Sequence, residues 1–173
     1  VAVEAWRGTI SSLDGRRLPT LGSRGEGWVA IQLALFAAIA LGAAAGPAWD
    51  GPIRIAMDAL GIACLIAGGA LAIRGLLDLG SNLTPMPRPR AGTALVDRGA
   101  YRLVRHPIYG GLIIGAMGWG LLAASPFTLV AAACLLVFFD LKSRREEAWL
   151  VETVDGYAAY STRRRRRLIP FLY

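Results

Sequence analysis

Long uncharged apolar runs alternate with short polar stretches along this chain. Trp28 to Trp49 is 22 residues without a charge. As a helix it would be about 33 Å long at ~1.5 Å per residue, enough to cross the hydrocarbon of a bilayer. The tryptophans at its two ends suit the two interfaces. Gly46-Pro47 and Asp50-Gly51-Pro52 then mark a tight turn. A second run from about Ile53 to Leu77 has an uncharged centre of 15 residues, Ala59 to Ile73, with Arg54 and Arg74 placed to snorkel at opposite ends. Ile108 to Phe139 is a run of 32 uncharged residues. As one helix that would be about 48 Å, too long for a bilayer, and Ser125-Pro126 divides it into a hairpin of Pro107–Ala124 and Pro126–Leu141. The predicted fold is all-α and integral to the membrane. It has about four membrane helices, the last two a helical hairpin, plus a C-terminal cytosolic amphipathic helix.

The polar stretches divide the chain into a lead (1–27), the first two membrane helices (28–77) and a loop, hairpin and tail (78–173). The lead holds Gly and Arg and is read as partly a surface helix. No cleavable signal peptide is expected, because the lead is polar and the first apolar run is long enough to span. Asp78 to Arg105 contains Pro85, Pro87 and Pro89, so an extended, non-helical passage is expected there. From Lys142 the pattern predicts a charged helix ending near Tyr160, followed by Arg163 to Arg167. Along it Glu146, Leu150, Val154 and Tyr157 share one stripe, with Glu147 and Val151 beside it.

Composition agrees with the pattern: 55% of residues are hydrophobic and only 18% are charged, where a soluble domain carries about 25%. Disorder, a disulfide scaffold and an ordinary soluble core are thereby excluded. The net charge of +7 would point to nucleic acid in a soluble protein, but in a membrane protein it follows the positive-inside rule. Of the 19 basic residues, only Arg54 falls in the first turn and none in the hairpin turn. The other 18 gather on one side, read as cytosolic, so both termini and the Pro-rich loop are expected there. Cys64 and Cys134 sit inside apolar runs as small hydrophobes, and with one histidine and no Cys-x-x-Cys no metal site is expected. Gly111-x-x-x-Gly115 fits close helix approach, and Gly115-Ala-Met-Gly-Trp-Gly lies inside a span after no strand, which argues against a dinucleotide loop.

Hydrophobicity leaves two segments unexplained. The first runs from Leu95 to Tyr109 and holds the only histidine, His106, just before Pro107 at the expected start of a helix. Free backbone N–H groups there, with Arg105 and His106 beside them, suit a carboxylate or phosphate. The second is Arg144-Arg145-Glu146-Glu147, which the hairpin returns to the same membrane face. Each has a plain structural alternative: a satisfied interfacial histidine, arginines on lipid phosphates, and glutamates on a solvated face.

Leu95-Val96-x-x-Gly99-x-Tyr101-Arg102-x-x-Arg105-His106-Pro107-x-Tyr109, a hairpin, then Arg145-Glu146-Glu147 and Tyr157-x-x-Tyr160 resembles the isoprenylcysteine carboxyl methyltransferase and phospholipid methyltransferase family. The likeness covers about Leu79 to Leu172, with Asn82 to Pro89 as a weaker supporting stretch. It implies a small multi-span enzyme that uses S-adenosylmethionine without a Rossmann fold. It further implies that Leu95, Val96, Tyr101, His106, Pro107, Ile108, Tyr109 and Glu146 line the cofactor pocket, with Arg145 and Glu147 catalytic, near the transferred methyl or the substrate head. Two departures stand out. Thr153-Val154-Asp155-Gly156 precedes Tyr157 where family tails carry Phe-Gly, and Arg163 to Arg167 replace a proline-containing stretch before Leu168-Ile169-Pro170.

The residue types suit such chemistry apart from the likeness. Displacement at a sulfonium methyl needs positioning rather than a metal or a covalent nucleophile. Arg105 to Tyr109 can take the cofactor's carboxylate, Glu146 or Glu147 its hydroxyls and ammonium, and Leu95, Tyr101 and Tyr109 its adenine. The expected partners are an amphiphilic or lipidated substrate and membrane lipid, with no nucleic acid. Carboxyl, amine and thiol acceptors all stay open. Sideways entry between helices near Gly111, Gly115 and Gly118 is expected for the acceptor. A membrane reductase of related architecture and a non-catalytic lipid-binding scaffold are the alternatives.

Overall fold

A computed structural model describes residues 15–45, 47–90 and 92–172. The first 14 residues of the lead, and Gly46 in the first turn, lie outside the described residues. Every regular element described is helical, with no strand among the described residues. Helix α1 is Glu26–Gly42, α2 Gly51–Leu79, α3 Pro107–Leu122, α4 Pro126–Thr153 and α5 Tyr157–Arg163. Short 3-10 turns follow α1 at Ala43–Ala45, follow α2 at Gly80–Asn82, and precede α3 at Gly99–Arg102.

The stretches Gly51–Asn82 and Pro126–Thr153 are long and apolar enough to cross a membrane, whereas α1 and α3 are apolar but shorter. Exposed Leu33, Leu41, Ile55, Ile66, Leu77 and Val130 leave an apolar outer surface on these helices. Helix α4 packs on α1 and α3, and α2 packs on the far side of α3. Trp28, Ile39, Ile113, Leu135, Phe138 and Phe139 fill the space between α1, α3 and α4.

The α2–α3 contact is a seam lined by glycines. A Cβ on Gly61 would come within 2.8 Å of the Gly118 carbonyl oxygen, one on Gly68 within 2.6 Å of that of Gly111, and one on Gly75 within 3.0 Å of Pro107. Small residues at heptad spacing let the two backbones touch, as in membrane helix pairs. Gly111 and Gly118 are used as expected, but with α2 sealed against them they offer no opening. A Cβ on Gly115 would meet nothing within 4 Å.

Ser125 starts α4 by accepting the Thr128 N–H at 3.2 Å, and its hydroxyl donates to the Gly42 carbonyl at 2.8 Å. The Ala48 N–H reaches the Ala124 carbonyl at 2.8 Å, and Arg54 reaches that of Leu122 at 2.8 Å. The two turns therefore meet at one end of the bundle, with Arg54 beside them. At the other end α4 continues without a break to Thr153, longer than the expected hairpin arm. The expected single tail helix is divided in two, because Gly156 adopts φ +79 ahead of α5.

Candidate functional site

At that second end, Asp78 in the last turn of α2 builds the turn before α3. Its buried carboxylate accepts the Ala100 N–H at 2.8 Å and pairs with Arg74 at 3.0 Å, while Arg98 donates to its main-chain carbonyl at 3.2 Å. Gly99 sits at φ +51, and a Cβ there would run into the Asp78 carboxylate. Glycine is required on both counts. This turn presents Tyr101, whose carbonyl accepts the Tyr160 hydroxyl at 2.8 Å.

Glu147 is the hub of the next layer. Its buried carboxylate takes Arg105 Nε at 2.7 Å, His106 Nε2 at 3.1 Å and Arg167 Nε at 3.4 Å. An ionised acceptor requires the hydrogen of His106 to sit on Nε2. The remaining Arg105 donors reach the carbonyls of Ser161, Arg164 and Arg165, and the Arg105 and His106 N–H groups donate to those of Arg166 and Arg167. Burial works against the charge on Arg105, but Glu147 outweighs it and raises the guanidinium above its ordinary pKa. The arginine tract is thus drawn into the fold: Arg163 and Arg164 pair with Asp97 at 3.3 and 3.2 Å, and Arg167 with Asp140 at 3.0 Å. Burial alone would raise the Asp97 pKa, yet these two guanidiniums bring it below the usual value.

Two cavities flank this hub. The first encloses about 690 Å³ including its mouth, and is walled by Asn82, Thr84, Met86, Pro87, Pro89 and Thr93 to Val96 of the Pro-rich passage, by Tyr101, Arg105 and His106, and by Glu146, Leu150, Val154, Tyr157 and Tyr160. The second, about 670 Å³, lies among Val29 and Gln32 of α1, Leu83 to Pro85, Ile108, Tyr109 and Leu112 of α3, and Lys142 of α4. Leu79, Thr84, Tyr101, His106 and Glu146 line both, so the cavities meet at a common wall.

Of the residues singled out from the sequence, Leu95, Val96, Tyr101, His106 and Glu146 come together in the first cavity. Ile108 and Tyr109 line only the second. The Tyr109 ring stacks between His106 and Phe139, and its hydroxyl donates to Glu146 Oε2 at 2.7 Å. Pro107 is buried at the start of α3 beside Gly75. Glu147 faces the ion-pair hub and lines neither cavity, and the Arg105 guanidinium is engaged by Glu147 and three carbonyls. Arg145 turns away from both cavities: it lies 4.2 Å from the Trp149 ring and 3.4 Å from the Gly15 carbonyl. One helix turns about 100° per residue, so neighbours in Arg145-Glu146-Glu147 face three directions.

Sequence reasoning missed Asp78, Tyr157, Tyr160 and Lys142. The stripe of Glu146, Leu150, Val154 and Tyr157 was the available signal for the first cavity, and all four line it. The Tyr157 hydroxyl is buried in that wall without a hydrogen-bond partner, and burial raises its pKa well above the ordinary value, so it stays protonated. Among the described residues no group of His, Cys, Asp and Glu is placed to hold a metal ion.

Residues 56–155 match the phospholipid methyltransferase family. The match covers more than half of the chain, and the protein belongs to that family. The chain is also 28% identical over 123 residues to the cobalt-zinc-cadmium resistance protein CzcN of Cupriavidus metallidurans. That alignment covers 66% of this chain and 50% of the relative, so the chain spans about half the length of the curated relative it matches. No solved structure matches the chain.

Proposed function

From membership of a methyltransferase family, we propose that this protein moves a methyl group from S-adenosylmethionine, held in the first cavity, to an amphiphilic acceptor whose head enters the second. The observation that carries the reading is the common wall of Tyr101, His106 and Glu146 between two adjoining cavities. The first cavity fits the cofactor's chemistry. Glu146 accepts from its ammonium or ribose hydroxyls, the protonated Tyr157 hydroxyl waits there without a partner, and Leu95, Val96 and Leu150 offer an apolar slot for the adenine. The cofactor supplies a methyl carbon on a positively charged sulfur. The chain's task is to align the acceptor with that carbon and keep water out.

Rigidity of the common wall serves that alignment. His106 is held by Glu147, by the Arg167 carbonyl and by the Tyr109 ring. Tyr101 is held by the turn on Asp78 and by Tyr160. Arg145 and Glu147 act in this reading as positioning residues, because neither side chain lines a cavity. The four apolar helices cross the membrane with both termini cytosolic, and the Pro-rich passage opens to the cytosol where the cofactor is available. In the sequence every basic residue except Arg54 falls in the segments read as cytosolic, which supports that orientation.

Calorimetry on the purified chain tests the proposal. S-adenosylmethionine is expected to bind saturably, with S-adenosylhomocysteine competing. Absence of binding by both ligands, in detergent and in lipid, would sink it.

A further inference from the structure

Beyond the hub the chain makes a turn that carries an exposed aromatic on strained backbone. Leu168 is buried in the core with Ile113 and Phe139. Its carbonyl lies so close to Gly110, in the first turn of α3, that a Cβ there would strike it. The tail is thereby fastened at the level where α3 and its apolar surface begin. The Leu172 N–H reaches the Ile169 carbonyl at 3.2 Å, closing a turn with Pro170 and Phe171 at its centre. Phe171 sits at φ +69, left-handed backbone that bulky side chains avoid and that turns usually give to Gly. Burial does not offset that strain, because Phe171 is 77% exposed and Leu172 83%. The guanidinium of exposed Arg166 lies 5.3 Å from the Phe171 ring centroid. Among the described residues no carboxylate is within ion-pair distance of it. The Arg105 N–H to Arg166 carbonyl bond sets the segment before α3 alongside, and there Arg102 and Leu103 are exposed as well.

We infer that Arg166, Phe171 and Leu172 form a docking surface for an anionic lipid leaflet. The inference rests on the reading that the apolar helices cross the membrane, and it is independent of what the cavities hold. Headgroup phosphates give Arg166 a counter-charge, while Phe171 and Leu172 enter the apolar layer just beneath. A leaflet thus supplies the two things that the folded chain withholds from this turn. Contact there bears on the hub, because the carbonyls of Arg164 and Arg165 hold the Arg105 guanidinium, and those of Arg166 and Arg167 hold the Arg105 and His106 N–H groups. An anionic leaflet therefore steadies the segment that holds His106 in the wall between the cavities.

The test compares the full chain in nanodiscs of phosphatidylcholine alone and of phosphatidylcholine mixed equally with phosphatidylglycerol. Amide exchange over residues 163–169 is expected to slow by about fivefold or more in the anionic discs. Residues 123–128, at the far end of the bundle, should exchange alike in both. Arg166→Glu is expected to abolish the difference. Phe171→Gly should shrink it too, yet its Tm in detergent should hold or rise, because glycine suits φ +69. Equal exchange in the two discs overturns the inference, as does a difference that survives Arg166→Glu. A fall in Tm on Phe171→Gly with the disc difference intact assigns the aromatic to the fold and overturns it as well. Slowing by inorganic phosphate in neutral discs would assign Arg166 to a free anion, and slowing only where two chains share a disc would assign the patch to a second copy. Insertion into both discs without the difference removes this inference alone; failure to insert removes the membrane reading with it.

Discussion

Two regions of the helix bundle are held together by opposite means. Along the α2–α3 seam the backbones meet because Gly61, Gly68, Gly111 and Gly118 have no side chains. Around Glu147, by contrast, Arg105 and His106 from the segment before α3 and Arg167 from the arginine tract converge on one carboxylate. The seam gains from dispersion between close surfaces, and any added atom disrupts it. The hub gains only while every charge keeps its partner, and a removed atom disrupts it. Both cavities border the hub, so their shape depends on an arrangement that fails abruptly.

Removing the hub carboxylate should have the largest effect. Glu147→Ala leaves Arg105 buried without its counter-ion, with an expected cost of about 3–5 kcal/mol. Denaturant titration in detergent measures it, and a loss near zero would show that the arginines find other partners. Glu147→Gln, which keeps an acceptor oxygen, should fall between the two.

The seam should break more mildly. Gly68→Ala places a Cβ against the backbone of Gly111 and is expected to cost about 1–3 kcal/mol, read as a fall in Tm. Gly115→Ala is the control: its Cβ meets nothing within 4 Å, and alanine favours the helix over glycine, so its Tm should stay at the unaltered value or rise. Equal effects of the two substitutions would contradict the seam as described.

Cofactor affinity should separate the faces of α4 without large changes in stability. Glu146→Ala and His106→Ala are each expected to weaken S-adenosylmethionine binding by more than about tenfold, ~1.4 kcal/mol. Tyr157→Phe removes a hydroxyl that has no partner in the folded chain, so it should lower affinity while leaving Tm unchanged or raised. A drop in Tm without a change in affinity would assign that hydroxyl to the fold instead.

The smallest effect belongs to the exposed rim. Asp97 holds Arg163 and Arg164 with a pKa below its ordinary value. A depressed carboxylate contributes above its unfolded pKa and loses that contribution as pH falls through the folded value. Acidification through that window should therefore loosen α5, seen as faster amide exchange over Tyr157–Arg163, and Asp97→Asn should show the faster exchange at neutral pH. Identical exchange in both proteins would leave the pair without a role.

Runs of uncharged residues and the Ser125-Pro126 break sufficed to place α2, α3 and the start of α4, because a helix that must bury or expose an apolar surface announces itself in composition. The pattern around His106 and Glu146 likewise marked residues that the fold gathers, since five of the eight expected cofactor residues share one cavity. Arg145 and Glu147 show where such reading stops. Adjacent in the chain to Glu146, they face Trp149 and the hub, because a helix sends successive side chains about 100° apart and only packing decides which direction meets a cavity. The arginine tract reads as a solvated or lipid-facing run until the fold brings Asp97, Asp140 and Glu147 within reach of its members. Lys142 was equally silent: its burial against Gln32, Tyr109 and Phe139 exists only once α1, α3 and α4 enclose it. Local pattern determines helices and residue types, whereas which charge is paired and which is left waiting is a property of contacts distant in sequence.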